Sequence, residues 1–283
     1  MKYSTKTKVR AAVLVSFLLG VAAAALRYRL LTGHYTVYER NALNPQYTGH
    51  YEGGDGLRLA YALVLLLGAA LLAGFALLIR RRLRGYAKTS GGNAYLMASL
   101  FLVFGIFFLA FDLLRDSFTS FSVLRTMLLV VSALSVGAIF YFCFQHGAER
   151  DGLNALLGIF PAFFPVLLAF AVYFDRSMAI NDPQKSVFTL AAVFAGLFLS
   201  QEAHDYRERI GMSAYLFCGL GTILFGTAFC VPDLVYDAFH PETPVLLSLS
   251  LDIAVASFVV FAAIQLSFLH HARRGAVKQE ASA

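Results

Sequence analysis

Charge is scarce in this sequence. Asp, Glu, Lys and Arg together make 14% of its 283 residues, where a soluble domain carries about a quarter. Hydrophobic residues make 59%, and the mean hydropathy is +0.67. That balance excludes an ordinary soluble domain and calls for lipid as the solvent. Cysteine is also sparse. Cys143, Cys218 and Cys230 all fall inside apolar runs, so no disulfide framework is implied. Low-complexity tracts are absent, and only the tail after Arg274 has the polar character of a disordered end.

Catalytic signatures are missing too. There is no H-E-x-x-H, no G-x-S-x-G, no Walker loop and no dinucleotide fingerprint. The Gly-rich stretches at 53–56 and 91–92 lack the lysine and the strand that a phosphate cradle needs. No cofactor is implied, and the sequence points away from an enzyme without excluding an intramembrane one.

What is present is a series of apolar runs of membrane-spanning length. A spanning helix needs about 20 mostly apolar residues to cross a hydrocarbon core of about 30 Å. Eight runs qualify, at roughly 11–31, 57–79, 94–115, 121–145, 152–174, 186–201, 212–231 and 245–269. They are too long for strands and lack the alternation of a membrane barrel. The run at 186–201 is the shortest. The segments at 1–10, 80–93, 146–151, 202–211 and 270–283 hold most of the 23 Lys and Arg residues, with Arg80, Arg81 and Arg82 in a block. The positive-inside rule then predicts an integral cell-membrane protein, multi-pass, with N- and C-termini cytoplasmic. The basic pI of about 9.3 reads as orienting charge, with no nucleic-acid partner. Lys2 to Arg10, the apolar stretch after it and Ala22–Ala25 also have the shape of a signal peptide. A retained first helix is the expectation, because the repeat described next needs it.

The sequence echoes itself. At an offset of 120, residues 86–100 meet 206–220 with six identities in fifteen positions, including Tyr86 with Tyr206 and Ala94-Tyr95-Leu96 with Ala214-Tyr215-Leu216. One residue further on, Asp112-Leu113-x-x-Asp116-x-Phe118 meets Asp233-Leu234-x-x-Asp237-x-Phe239. At an offset of 124, Phe144-x-His146-x-Ala148-x-Arg150 meets Phe268-x-His270-x-Ala272-x-Arg274. Each match falls at the same topological place. The expected fold is therefore an all-α polytopic membrane protein whose eight transmembrane helices form two parallel four-helix repeats. These are residues 1–150, with an outer-loop insertion at about 32–56, and residues 151–283 with a short cytoplasmic tail. Four is an even number, so the repeats keep one orientation and are related by a pseudo-twofold axis along the membrane normal.

Ionisable residues inside a span are functional candidates, because their desolvation must be met by some partner. Asp112, Asp116, Asp233, Asp237 and Asp252 are the candidate ligand-binding residues. Asp112 and Asp116 share one helix face at a spacing of four, as Asp233 and Asp237 do if their helix continues past Pro232. Acids at helix C-termini oppose the dipole, so a cation, a cationic ligand or Arg115 should offset them. The plainer reading is a solvated outer rim. For Asp252 the plainer reading is a buried ion pair with Arg125. His146 and His270 fit the ends of helices that a basic group complements. His34 and His50 with Glu39 or Asp55 lack a tight metal spacing, so no metal can be named. Glu202, His204 and Asp205 read as a solvated connector.

Three functions remain open: transport of a small lipophilic or cationic solute through the interface of the repeats, a sensor or accessory subunit binding a partner through the outer loop, and an intramembrane enzyme. The bilayer and a small solute or cation are the partners implied; no protein partner is legible.

Overall fold

The computed structural model describes residues 4–37, 49–83, 86–87, 93–117, 123–144, 152–173, 183–204, 211–240 and 249–271. All eight apolar runs form helices long and apolar enough to cross a membrane. They are α1 (Thr5–His34), α2 (Asp55–Leu83), α3 (Asn93–Ser117), α4 (Val123–Phe144), α5 (Gly152–Tyr173), α6 (Pro183–His204), α7 (Met212–Phe239) and α8 (Leu249–Ser267). The chain is thus a multi-pass membrane protein. Large apolar side chains such as Leu66, Leu78 and Phe107 lie on the outer surface of the bundle, more than half exposed, as a lipid-facing surface requires.

Two boundaries differ from expectation. The short run at 186–201 becomes a helix of 22 residues, because Gln184, Lys185 and Glu202 at its ends are buried in protein. Helix α7 continues through Pro232 for another two turns. Proline removes one ladder hydrogen bond, but neighbouring helices can re-satisfy the freed carbonyl inside a membrane bundle.

Each helix from α3 to α8 packs on the next, and α8 returns to α3, closing a ring of six. Helix α1 packs against α7 from outside the ring, and α2 packs on both. Helix α7 is therefore covered on two sides: 83% of its spanning window is buried, against 39% for α3. Small residues permit the close crossings, as is general where lipid supplies no hydrophobic drive between helices. A Cβ on Gly20 of α1 would come within 2.7 Å of Thr227 Cβ and 2.9 Å of the Leu224 carbonyl oxygen of α7. A Cβ on Gly105 of α3 would collide with Ser257 Oγ of α8. Ser16 Oγ donates to the Leu220 carbonyl at 2.6 Å, fixing α1 on α7.

Two short ladders finish the fold. β1 (Tyr35–Val37) pairs antiparallel with β2 (Gly49–Tyr51), so the ends of the long first loop are strapped together. β3 (Tyr86–Ala87) pairs with β4 (His270–His271), tying the connector after α2 to the end of α8. His270 therefore sits in a strand rather than on a helix terminus. His146 lies outside the described residues.

Among the described residues, two of the cavities lie between helices of the ring. The larger, about 380 Å³ counting the open space at its mouth, lies near where α4 and α6 finish. The smaller, about 240 Å³, lies further along between α5, α6, α7 and α8. Phe258, which lines the smaller cavity, packs on Phe164 with ring centroids 6.2 Å apart.

Candidate functional site

The most concentrated polar chemistry lies where α1 and α7 finish and where α6 and α8 begin. Its central cation is Arg27, 1% exposed and two turns before the end of α1. Its Nε and Nη2 donate to Asp233 Oδ1 of α7 at 3.3 and 3.2 Å. Gln184, the second residue of α6 and equally buried, donates its Nε2 to Asp233 Oδ2. The same Nε2 lies 3.4 Å from the Phe229 carbonyl. Asp252, the fourth residue of α8, is 1% exposed, and its Oδ1 has no hydrogen-bond partner among the described residues. Its charge is felt by Arg27, Asp233 and Asp237. One guanidinium thus faces two fully buried carboxylates, and Asp237 stands half-buried one turn beyond. Burying such groups is costly unless they pair, so removing any one of them should be felt by the others. The arrangement can hold or exchange a cation or a proton.

The structure corrects the partner expected for Asp252. The cation whose charge reaches Asp252 is Arg27 of α1, itself paired with Asp233, whereas Arg125 lies on α4, which packs on α3 and α5. It also distributes the aspartates. Asp112 is half-buried and accepts a hydrogen bond from Ser250 Oγ at 2.6 Å. Ser250 and Asp252 are two residues apart, roughly 200° around the helix at 3.6 residues per turn. Helix α8 therefore turns Ser250 toward α3 and Asp252 toward α7, and it stands between Asp112 and Asp233. Asp116 falls in the last turn of α3, but its side chain lies outside the described residues. Arg115 is exposed.

Glu202 is a second correction. It is not part of a solvated connector: it is 8% exposed, and Tyr215 Oη donates to its Oε1. His34 Nδ1 lies 3.1 Å from the Glu52 carbonyl, and Glu39 lies outside the described residues. Among the described residues, no group of three or more His, Cys, Asp or Glu side chains is placed to hold a metal ion.

Sequence reasoning missed Arg27 and Gln184. For Arg27 the signal is present, since an arginine inside the run at 11–31 is as anomalous as an aspartate in a span. Gln184 gives no such signal, because it falls just outside the edge that hydropathy draws for α6. Compared with protein families, with curated proteins and with solved structures, the chain matches none of them.

Proposed function

We propose that the protein is a transporter for a small lipophilic or cationic solute that passes through the ring of α3 to α8. The observation that carries this reading is the succession inside the ring. The larger cavity, lined near the ends of α4 and α6, and the smaller cavity, lined by α5 to α8, lie in that order toward the carboxylate network. Phe188 and Val255, which line the smaller cavity, lie about one turn along from Gln184 and Asp252. On this reading Asp233, Asp237 and Asp252 handle a cation or proton that couples to the solute. Asp112 and Asp116, beyond α8, form a separate acidic site at the same rim.

The reading includes two parallel repeats, 1–150 and 151–283. Their sequence echoes support it, while the packing of α7 on α1, α2 and α6 has no comparable counterpart at α3. It also includes cytoplasmic termini, which put the carboxylate network at the outer end and the larger cavity at the inner one.

The test is transport in proteoliposomes carrying an internal pH dye, with benzylguanidinium as a cation that stays charged at neutral pH. Uptake should exceed that of protein-free vesicles, move protons in the opposite direction, and lose the proton movement in Asp252→Asn. Uptake equal to the protein-free control would overturn the reading.

A further inference from the structure

Three acids meet at the carboxylate network, and their surroundings are not alike. Asp233 has both carboxylate oxygens engaged, because Arg27 donates to Oδ1 and Gln184 donates to Oδ2. Asp237, one turn further along α7, is half-buried. Asp252 is as deeply buried as Arg27, yet its Oδ1 has no hydrogen-bond partner among the described residues. The guanidinium turns its Nε and Nη2 to Asp233 instead.

Each neighbouring helix adds to the setting of Asp252. Helix α7 presents Cys230, Asp233 and Asp237 to it, and α1 presents Arg27. Helix α6 brings Gln184 to Asp233, and Lys185, next in the chain, is buried as well. Helix α3 meets the other face of α8, where Ser250 donates to Asp112. The trio of Arg27, Asp233 and Asp252 thus holds one cation and two acids, all buried. A carboxylate kept from water without a donor is costly, and a second carboxylate beside it adds repulsion. A bound proton relieves both, because the carboxylic acid carries no charge. A calcium or magnesium ion would cancel the charge too, but it needs several oxygen ligands. Among the described residues, no group of three or more His, Cys, Asp or Glu side chains is placed to supply them.

We infer that the ion taken by this network is a proton, that Asp252 carries it, and that Asp233 stays ionised under Arg27 and Gln184. The proton adds to a carboxylate oxygen of Asp252 and forms an O–H bond. On its release the trio holds two anions and one guanidinium, which favours parting α8 from α7. Val255 follows Asp252 on the same face of α8, one turn along, and lines the smaller cavity. A shift of α8 at Asp252 therefore reaches the cavity wall. The inference deepens the transport reading by naming the coupling ion and its carrier, and rests on that reading only for what proton release drives. The bound proton itself is measurable without flux.

Infrared spectroscopy of the purified full-length protein in lipid vesicles separates carboxylic acids from carboxylates by the C=O stretch. At neutral pH an acid band should be present, should be lost in Asp252→Asn, and should remain in Asp237→Asn. Isotopic labelling of the aspartate carboxyl groups should shift that band in the unaltered protein, which keeps the test decisive if Asp252→Asn does not fold. A protein without an aspartic-acid band at neutral pH overturns the inference. So does a band that Asp237→Asn removes and Asp252→Asn keeps. Loss of the band on adding calcium or magnesium also overturns it, since the site would then take a metal ion. An Asp252-dependent band without proteoliposome uptake keeps the proton site and sinks the transport reading. Uptake with proton movement in a protein that lacks the band does the reverse.

Discussion

Asp112 of α3 and Asp233 of α7 open the same seven-residue pattern, yet they occupy different chemical worlds. Asp112 is half-buried at the end of a helix whose spanning window is 39% buried, and the Ser250 hydroxyl donates to it. Asp233 is 4% exposed on a helix whose window is 83% buried, and it binds a guanidinium and an amide. The difference lies in neighbours and not in the pattern. Helix α1 lies across α7 and brings Arg27 with it, while α3 has α4 and α8 beside it. A repeated motif therefore does not guarantee a repeated site. What decides is which surfaces later helices cover, and covering an aspartate obliges the protein to supply a partner.

The largest expected effect follows directly. Arg27→Leu leaves Asp233 and Asp252 buried together without their guanidinium, and should cost about 3–5 kcal/mol, the range for breaking a buried pair. The measurement is denaturant unfolding in a fixed mild detergent. Replacing the pair together, as Arg27→Met with Asp233→Leu, should recover part of that loss, because the desolvation penalty of Asp233 leaves with it while Asp252 stays buried. Asp112→Leu should cost much less than Arg27→Leu. Equal losses at the two positions would erase the contrast between α3 and α7. A double variant as unstable as Arg27→Leu alone would show that the packing of α1 on α7, and not the charge, is what the arginine secures.

Much of this contrast is hidden in the sequence, for physical reasons. All eight spans are legible, because the apolar excess needed to face lipid is present whether a helix is central or peripheral. The aspartates are legible as anomalies for the same reason. The central place of α7 is not, since a span buried in protein and a span facing lipid are almost equally apolar. Its mean window hydropathy of 1.8 is in fact below the 2.4 of α3. Glu202 and Gln184 fall at span edges, where hydropathy cannot tell a solvated end from a polar residue drawn inside. The Arg27 partnership needs the packing of α1 on α7, a contact across 206 residues of chain.

Packing offers a way to sharpen the comparison with a change of sign. Gly20 sits where α1 crosses α7, and an added methyl group would press on Thr227 Cβ and the Leu224 carbonyl oxygen. Gly20→Ala should destabilise by about 1–3 kcal/mol, as overpacking does. Gly74 on α2 has nothing within 4 Å of an added Cβ. There, alanine only removes the helix penalty of glycine, so Gly74→Ala should stabilise by about 0.5–1 kcal/mol. Thermal unfolding of the two variants in one detergent reads both signs. A gain at Gly20 would mean that α1 can move away from α7 at little cost, and that Arg27 is not held by that crossing.

The smallest effect belongs to the α3 side. Ser250 donates to Asp112 from the first turn of α8, in a half-buried place where the carboxylate keeps contact with its surroundings. A single hydrogen bond in such a setting is worth about 0.5–1.5 kcal/mol, so Ser250→Ala should lower stability by that amount. Its counterpart on the α7 side is Gln184→Leu. That change removes a buried donor from a carboxylate, and bonds to charged groups are worth about 1.5–3 kcal/mol. The two variants remove one donor each from matched aspartates, so their ratio measures burial and little else. If Ser250→Ala costs as much as Gln184→Leu, then α8 seals Asp112 as tightly as α1 and α6 seal Asp233. In that case α8 holds apart two equivalent charged sites, one on each of its faces.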